Sequence, residues 1–248
     1  MSIREYVAAS RAPRYSITFA LPLLLLYEGL AALLPGTALA GVRNGADVLV
    51  KTVFVAFGGR TGLATFGVLM FAVGAWLVWR DRGRHPGPVR GHWLAAMLLE
   101  SVVYAALLGT VTASLTSLLL AGVPLATVIA QAGGAPLGLG TQLVVSLGAG
   151  IYEELVFRVL LVSGITAGLA TLGWRRPAAL TAAIVLSALI FSGFHYVGPL
   201  GDAFTLPSFT FRAIAGLLLS ALYAGRGFGI AAWTHALYDV GLALLARG

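Results

Sequence analysis

Cysteine is absent from the chain. That removes disulfides, thiolate metal sites and a cysteine nucleophile. Charge is scarce as well: of 248 residues, 10% are charged and 59% are hydrophobic, and the mean hydropathy is +0.93. A soluble domain carries about 25% charged residues. So much apolar surface cannot be hidden in one globular core, and lipid must cover much of it. The composition therefore predicts an all-α polytopic membrane protein. The sequence has no soluble segment, internal repeat or low-complexity tail, so 1–248 reads as a single transmembrane domain. The net charge of +7 would suggest an acidic partner in a soluble protein. Here the basic residues sit in short loops between apolar runs. That pattern orients a protein in a membrane and gives no reason to expect nucleic acid. The first apolar run has no small-residue cleavage site and reads as a retained span.

The apolar runs are 17–35, 62–79, 93–120, 140–164, 178–197, 206–224 and 228–246, a bundle of seven helices. An amphipathic piece, Ala46 to Phe57, carries Asp47 and Lys51 and is too short for an ordinary span. It is expected to lie at the interface or re-enter; if it crosses, the spans number eight. With seven spans and the N-terminus inside, Arg4, Arg11, Arg14, Arg80, Arg82, Arg84, Arg90, Arg175, Arg176 and Arg226 fall on the cytoplasmic side. Arg43, Lys51, Arg60 and Arg247 fall outside, and Arg158 and Arg212 lie within spans. The asymmetry follows the positive-inside rule. A Gly- and Pro-rich, charge-free linker occupies 122–138.

The fourth run is the unusual one. It holds Ile151-Tyr152-Glu153-Glu154-Leu155-Val156-Phe157-Arg158. A charge at the centre of a span costs a few kcal/mol unless it is paired or faces water. Glu154 and Arg158 are spaced i, i+4 and can pair on one helix face. Glu153 points about 100° away on an α-helix, so one carboxylate can be held by the arginine while the other stays free to act as a general base. A purely structural ion pair is the alternative, though stability alone gives no reason to bury the second acid. The fifth run ends on Phe191-Ser192-Gly193-Phe194-His195-Tyr196, where Phe191, one turn earlier, can pack on the imidazole. In the seventh run His235 and Asp239 are again i, i+4, and the carboxylate can accept from one ring nitrogen and set the tautomer. Depth is the difficulty. His235 lies nearer the cytoplasmic end of its run and His195 nearer the outer end of its own. Convergence requires tilt, offset helix starts or a broken span around Gly193 and Pro199. Glu28 and Glu100 could serve the site or face a water-filled cavity. Arg212 could snorkel to the interface, or pair with Asp202 or with a catalytic carboxylate.

Glu153-Glu154-x-x-x-Arg158, Phe191-x-x-x-His195 and His235-x-x-x-Asp239, in this order over about 140–245, resemble the motifs of the CPBP family. These are the CAAX-prenyl-protease and bacteriocin-processing (Abi) intramembrane proteases. Phe209-x-Phe211-Arg212 with Gly216 is similar to the family's less regular third motif. The resemblance implies an endopeptidase in which Glu153, with His195, holds and deprotonates water. Glu154 and Arg158 would be the paired support. His235 would stabilise the oxyanion together with the residue four further on. That residue is often Asn in the family but is Asp239 here, and an ionised Asp cannot donate a hydrogen bond. Asp239 is then protonated, orients His235, or helps hold a metal. The family is described both as glutamate proteases and as metalloproteases. The His-Glu-x-x-His zinc signature is absent, which favours a metal-free mechanism. If zinc takes part, Glu153, His195 and His235 are its expected ligands.

Other chemistries fit less well. A rhomboid-like serine site needs Gly-x-Ser-Gly and a histidine on a later span, but Ser192-Gly193 directly precedes His195. An aspartyl intramembrane protease needs two intramembrane Asp residues, and only Asp239 qualifies. A proton-coupled transporter uses the same residue types, but no inverted repeat is present. A non-catalytic scaffold or immunity protein on the same fold is a further alternative. The Arg-, Ala-, Gly- and Leu-heavy composition points to a bacterial cytoplasmic membrane. There a leader peptide or a C-terminal anchor is a better substrate than a prenylated tail. The expected partners are membrane lipid and a peptide or membrane-anchored protein.

Overall fold

A computed structural model describes residues 3–33, 44–84, 87–121, 123–124, 138–198 and 201–245. Most of the 122–138 linker, Arg43, Pro199 and Arg247 lie outside the described residues, as do the side chains of Arg60 and Arg84. A short α1, Ile3–Ser10, leads into α2, Pro13–Leu33. Then come α3, Gly45–Arg84, and α4, Gly91–Leu119. A continuous rod, α5, covers Leu139–Thr171. It is followed by α6, Arg176–Phe194, α7, Leu206–Arg226, and α8, Phe228–Leu245. Among the described residues there is no strand, and seven helical segments are long and apolar enough to cross a membrane. In a bilayer this is the expected outcome, because a helix satisfies every backbone polar group within itself.

The amphipathic piece 46–57 is not among those seven segments. It forms the first part of α3, which breaks at Gly59 (φ 54°, ψ −139°). This left-handed backbone is open to glycine and disfavoured for residues with a Cβ. A Cβ on Gly62 would stand 2.0 Å from the Phe54 carbonyl oxygen, so the two parts of α3 pack tightly together beyond the break. Phe54 and Phe66 seal that contact, with ring centroids 5.2 Å apart. The first part of α3 therefore turns back into the bundle, and its Ala46 and Asp47 are fully buried. Lys51, expected as an outer loop charge, instead sits 2.7 Å from Asp47 and 3.0 Å from Glu28.

Helix α8 is the central element, packing on α2, α4, α5 and α7. Its contact face is rich in small residues, including Gly229, Ala231, Ala232 and Ala236. Such residues let helix backbones approach closely where lipid offers no hydrophobic drive for association. Leu25, Phe71, Leu99, Leu118 and many other large apolar side chains point outward, as a lipid-covered surface requires.

One end of the bundle is tied by arginines. Arg14 donates to the Gly87 carbonyl at 2.8 Å and lies 3.4 Å from Asp81. Arg11 donates to the Ala224 carbonyl at 3.0 Å. Arg226 donates to Glu100 at 2.5 and 2.8 Å, and Tyr6 donates to the same carboxylate at 2.7 Å. Burial, more than the hydrogen bond to Glu100, raises the Tyr6 phenol above its usual range. Glu100 thus belongs to this basic end of the molecule and does not serve the acid–histidine cluster. The grouping of Arg11, Arg14 and Arg226 at one end agrees with the positive-inside reading.

The same end fixes the start of α8. At Gly227 (φ 87°) the chain turns against Arg11. The Gly229 N–H then donates to the Ser16 hydroxyl at 2.6 Å, and the Trp233 indole donates to the Phe19 carbonyl at 2.7 Å. Helix α8 therefore starts level with Ser16 of α2, and His235 stands beyond Phe19 towards the middle of the bundle.

The α5–α8 crossing depends on Gly150. A Cβ there would lie 2.5 Å from the Ala232 carbonyl oxygen and 2.6 Å from the Ala236 Cβ. Gly150→Ala is expected to force the two helices apart and to lower stability by about 1–3 kcal/mol. Thermal unfolding of the detergent-solubilised protein measures this; an unchanged transition would show that the crossing tolerates a methyl group.

Candidate functional site

The acid pair sits in a segment of α5, Ala149–Val162, whose backbone is wound as a π-helix. Its i→i+5 hydrogen bonding widens each turn, and such windings occur often at functional sites. Adjacent residues are then rotated by less than on an α-helix. Both acids can face the interior: Glu153 is 6% exposed and Glu154 is 0% exposed. The expected α-helical separation of the two is corrected accordingly. Two glycines let neighbouring helices close around them. Gly150 admits α8, and Gly148 admits Tyr27 and Asn44, whose atoms would stand 2.6 and 2.7 Å from a Cβ at that position.

Glu154 is answered through one oxygen, and its Oε2 is buried without a hydrogen-bond partner. Its Oε1 lies 3.1 Å from Nη1 of Arg158 and 2.7 Å from Nδ1 of His235. Arg158 is 0% exposed, and its guanidinium nitrogens make no hydrogen bond of good geometry. It is held by charge and by the Phe191 ring, whose centroid is 4.5 Å away. The Glu154–Arg158 pairing expected from the i, i+4 spacing is present. The partner of His235 differs from expectation: Glu154, from α5, takes Nδ1. Asp239, on the same helix as His235, stands 3.6 Å from Nε2, too far for a hydrogen bond.

Phe191 joins the parts. Its ring packs edge-on against His195 at 4.9 Å and His235 at 6.1 Å, and against Phe157 at 5.2 Å. Gly216 of α7 makes room for it, since a Cβ there would lie 3.0 Å from the Phe191 ring. His195 lies just beyond α6, with Nδ1 2.8 Å from the Phe191 carbonyl. A carbonyl only accepts, so Nδ1 carries the proton and Nε2 is left as an acceptor. The chain after His195 folds back, with the Asp202 N–H donating to the His195 carbonyl at 2.9 Å.

Glu153 is disposed differently from Glu154. Its Oε1 accepts from Nδ2 of Asn44 at 2.6 Å. Its Oε2 is buried, has no hydrogen-bond partner, and faces Nε2 of His235 across 4.0 Å. Its carboxylate is within electrostatic reach of both His195 and His235. Asn44 is a residue that sequence reasoning missed. It belongs to no helical pattern, and the only signal available was that an amide side chain precedes the amphipathic piece.

The remaining candidates fall outside this cluster. Arg212 is buried and does not snorkel. It pairs with Asp202, donates to the Ser208 hydroxyl at 3.0 Å, and stacks 5.2 Å over Tyr196. Glu28 accepts from Tyr152 at 2.8 Å and so lies behind the acid pair. Among the described residues no three His, Asp or Glu side chains are grouped as ligands for a metal ion.

These features define an all-helical, polytopic membrane protein with acids and imidazoles gathered inside the bundle. Residues 135–241 match the Rce1-like family, described as type II CAAX prenyl endopeptidase Rce1-like. Over this segment the chain is similar to the CPBP, or CAAX-protease, family of membrane endopeptidases, the family its motifs resemble. The match begins just before α5 and runs into α8, taking in every motif residue from Glu153 to Asp239 and leaving Asn44 outside. No curated protein and no solved structure matches the chain.

Removing one partner of a buried ion pair costs about 3–5 kcal/mol, because the other charge is stranded. Arg158→Leu is expected to destabilise the protein by that order in a denaturant titration. Adding Glu154→Gln should recover part of the loss, as a coupled pair does. A single variant as stable as the parent would mean that Arg158 does not offset the Glu154 charge.

Proposed function

We propose that the protein is an intramembrane endopeptidase that hydrolyses a peptide bond with water activated at Glu153. The observation that carries this reading is the asymmetry of the acid pair. The Glu154 charge is answered by Arg158 and His235, whereas Glu153 has a neutral amide on Oε1 and a free, buried Oε2 facing His235. Both acids keep a buried Oε2 without a hydrogen-bond partner. Only Glu153 has a neutral amide as its hydrogen-bond partner, and a carboxylate not paired with a cation suits a general base. In this mechanism Glu153 and the Nε2 acceptor of His195 hold the water, and Glu153 takes its proton. The hydroxide adds to the scissile carbonyl carbon. His235, with a proton on Nε2, stabilises the oxyanion, and Glu154 and Arg158 keep its ring in place. Asp239 orients the same ring from within α8. Collapse of the intermediate breaks the C–N bond, and the proton held by Glu153 passes to the leaving amine.

The substrate we propose is a leader peptide or a C-terminal anchor within the bacterial cytoplasmic membrane. The mechanism is metal-free; were zinc used, Glu153, His195 and His235 would be the side chains to hold it. Purified protein in detergent should cleave such a membrane-anchored peptide. Glu153→Gln should lower kcat by about 10²–10⁴-fold without lowering the yield of folded protein. Cleavage that survives this change would sink the mechanism, and ion flux without cleavage would favour a transporter. Treatment with a chelator is expected to leave activity intact. Loss of activity that added zinc restores would assign the metal mechanism instead.

A further inference from the structure

Asn44 is the only asparagine in the chain. It stands immediately before α3, is 3% exposed, and lies far in sequence from the motif-bearing helices. Its side chain makes two bonds of opposite sense. Oδ1 accepts from the Ala46 N–H at 2.9 Å, in the manner of a helix N-cap. Nδ2 donates to Oε1 of Glu153 at 2.6 Å. The first bond settles the orientation of the amide. An oxygen must face the Ala46 N–H, so the NH2 group must face the carboxylate. Gly148, one turn before Glu153, supplies the space: a Cβ there would stand 2.7 Å from the Asn44 Cβ.

We infer that Asn44 is a positioning residue for the proposed endopeptidase. It immobilises one oxygen of Glu153 so that the other is presented to the water and to His235. The inference rests on the reading of Glu153 as the base, but the residue and the helix that carries it lie outside the 135–241 family match. The first part of α3, too short to be a span, thereby acquires a purpose. It buries a cap whose second hand reaches the acid. The donor is neutral. A cation at this position would offset the Glu153 charge and weaken it as a base, whereas an amide orients the carboxylate and leaves its charge in place. Glu153 Oε2 is then the oxygen left with a free lone pair, 4.0 Å from His235 Nε2.

Two substitutions separate positioning from capping. Ser and Asp both cap helices about as well as Asn, so Asn44→Ser and Asn44→Asp keep the bond to the Ala46 N–H. Neither gives a neutral amide donor to Glu153: the first is too short, and the second turns a carboxylate towards it. Both should lower kcat by about 10²-fold, the order seen when a reacting group is misplaced by about 1 Å. KM should stay within about twofold, and the thermal transition of Asn44→Ser should match the parent. Parent protein and Glu153→Gln are assayed alongside. If Asn44→Ser cleaves with the parent's kcat while Glu153→Gln is inactive, the role of Asn44 is overturned and the Glu153 mechanism stands. If kcat falls only in step with a lowered thermal transition, Asn44 is a cap and nothing more. If Glu153→Gln remains active, the mechanism itself fails and the positioning role goes with it.

Discussion

A guanidinium without solvent contact, inside a helix otherwise covered by lipid and protein, has to be answered by charge. Arg158 is in that position, and Glu154 answers it at 3.1 Å. The rest of the interior follows from this pair. Once Glu154 is turned inward for Arg158, its Oε1 is also the acceptor that His235 reaches at 2.7 Å, which docks α8 on α5. Helix α8 can come that close only because Gly150 presents no side chain to Ala232 and Ala236. Phe191 covers the guanidinium and brings α6, with His195, to the same place. In hydrocarbon the alternative to each of these contacts is an unpaired charge, worth a few kcal/mol against the fold. The polar cluster therefore specifies which helices meet, beyond any gain in stability.

The acid pair divides the work. Glu154 is paired with a cation and hydrogen-bonded to His235, while the hydrogen-bond partner of Glu153 is a neutral amide. Two neighbouring carboxylates could not both stay charged and unpaired at this depth, since each would oppose the other. Giving the cation to one and an amide to the other resolves the conflict. It also explains why the π-helical winding matters: it turns both side chains inward towards different helices, with α8 receiving Glu154 and the start of α3 receiving Glu153.

Several contacts were legible before any coordinates. The i, i+4 spacing of Glu154 and Arg158 and the Phe191–His195 stacking are both local, and local periodicity predicts them. His235 and Asp239 share the same spacing, yet His235 bonds Glu154, because a carboxylate arriving from another helix stands closer than the one on its own. Glu100 and Arg212 were ambiguous for the same reason. Hydropathy says that a charge is buried but not what it meets. Glu100 meets Arg226 and Tyr6 at the basic end, and Arg212 meets Asp202 and Ser208. The conflict over depth between His195 and His235 was real on a map of parallel, equal spans. In the structure Phe191 packs against both imidazoles, with His195 just beyond the end of α6 where the chain folds back.

Composition and spacing alone determined that this chain lives in a membrane, where its helices run, and which side chains could bear charge within them. These are properties of single segments, and each segment must satisfy its own backbone and its own hydropathy. Only the tertiary structure decided which carboxylate is paired with a cation and which with an amide, that the helix carrying them is π-wound, and that Asn44 takes part. Those outcomes depend on side chains distant in sequence reaching the same few ångströms. No periodicity along one helix records the neighbours that packing will bring to it.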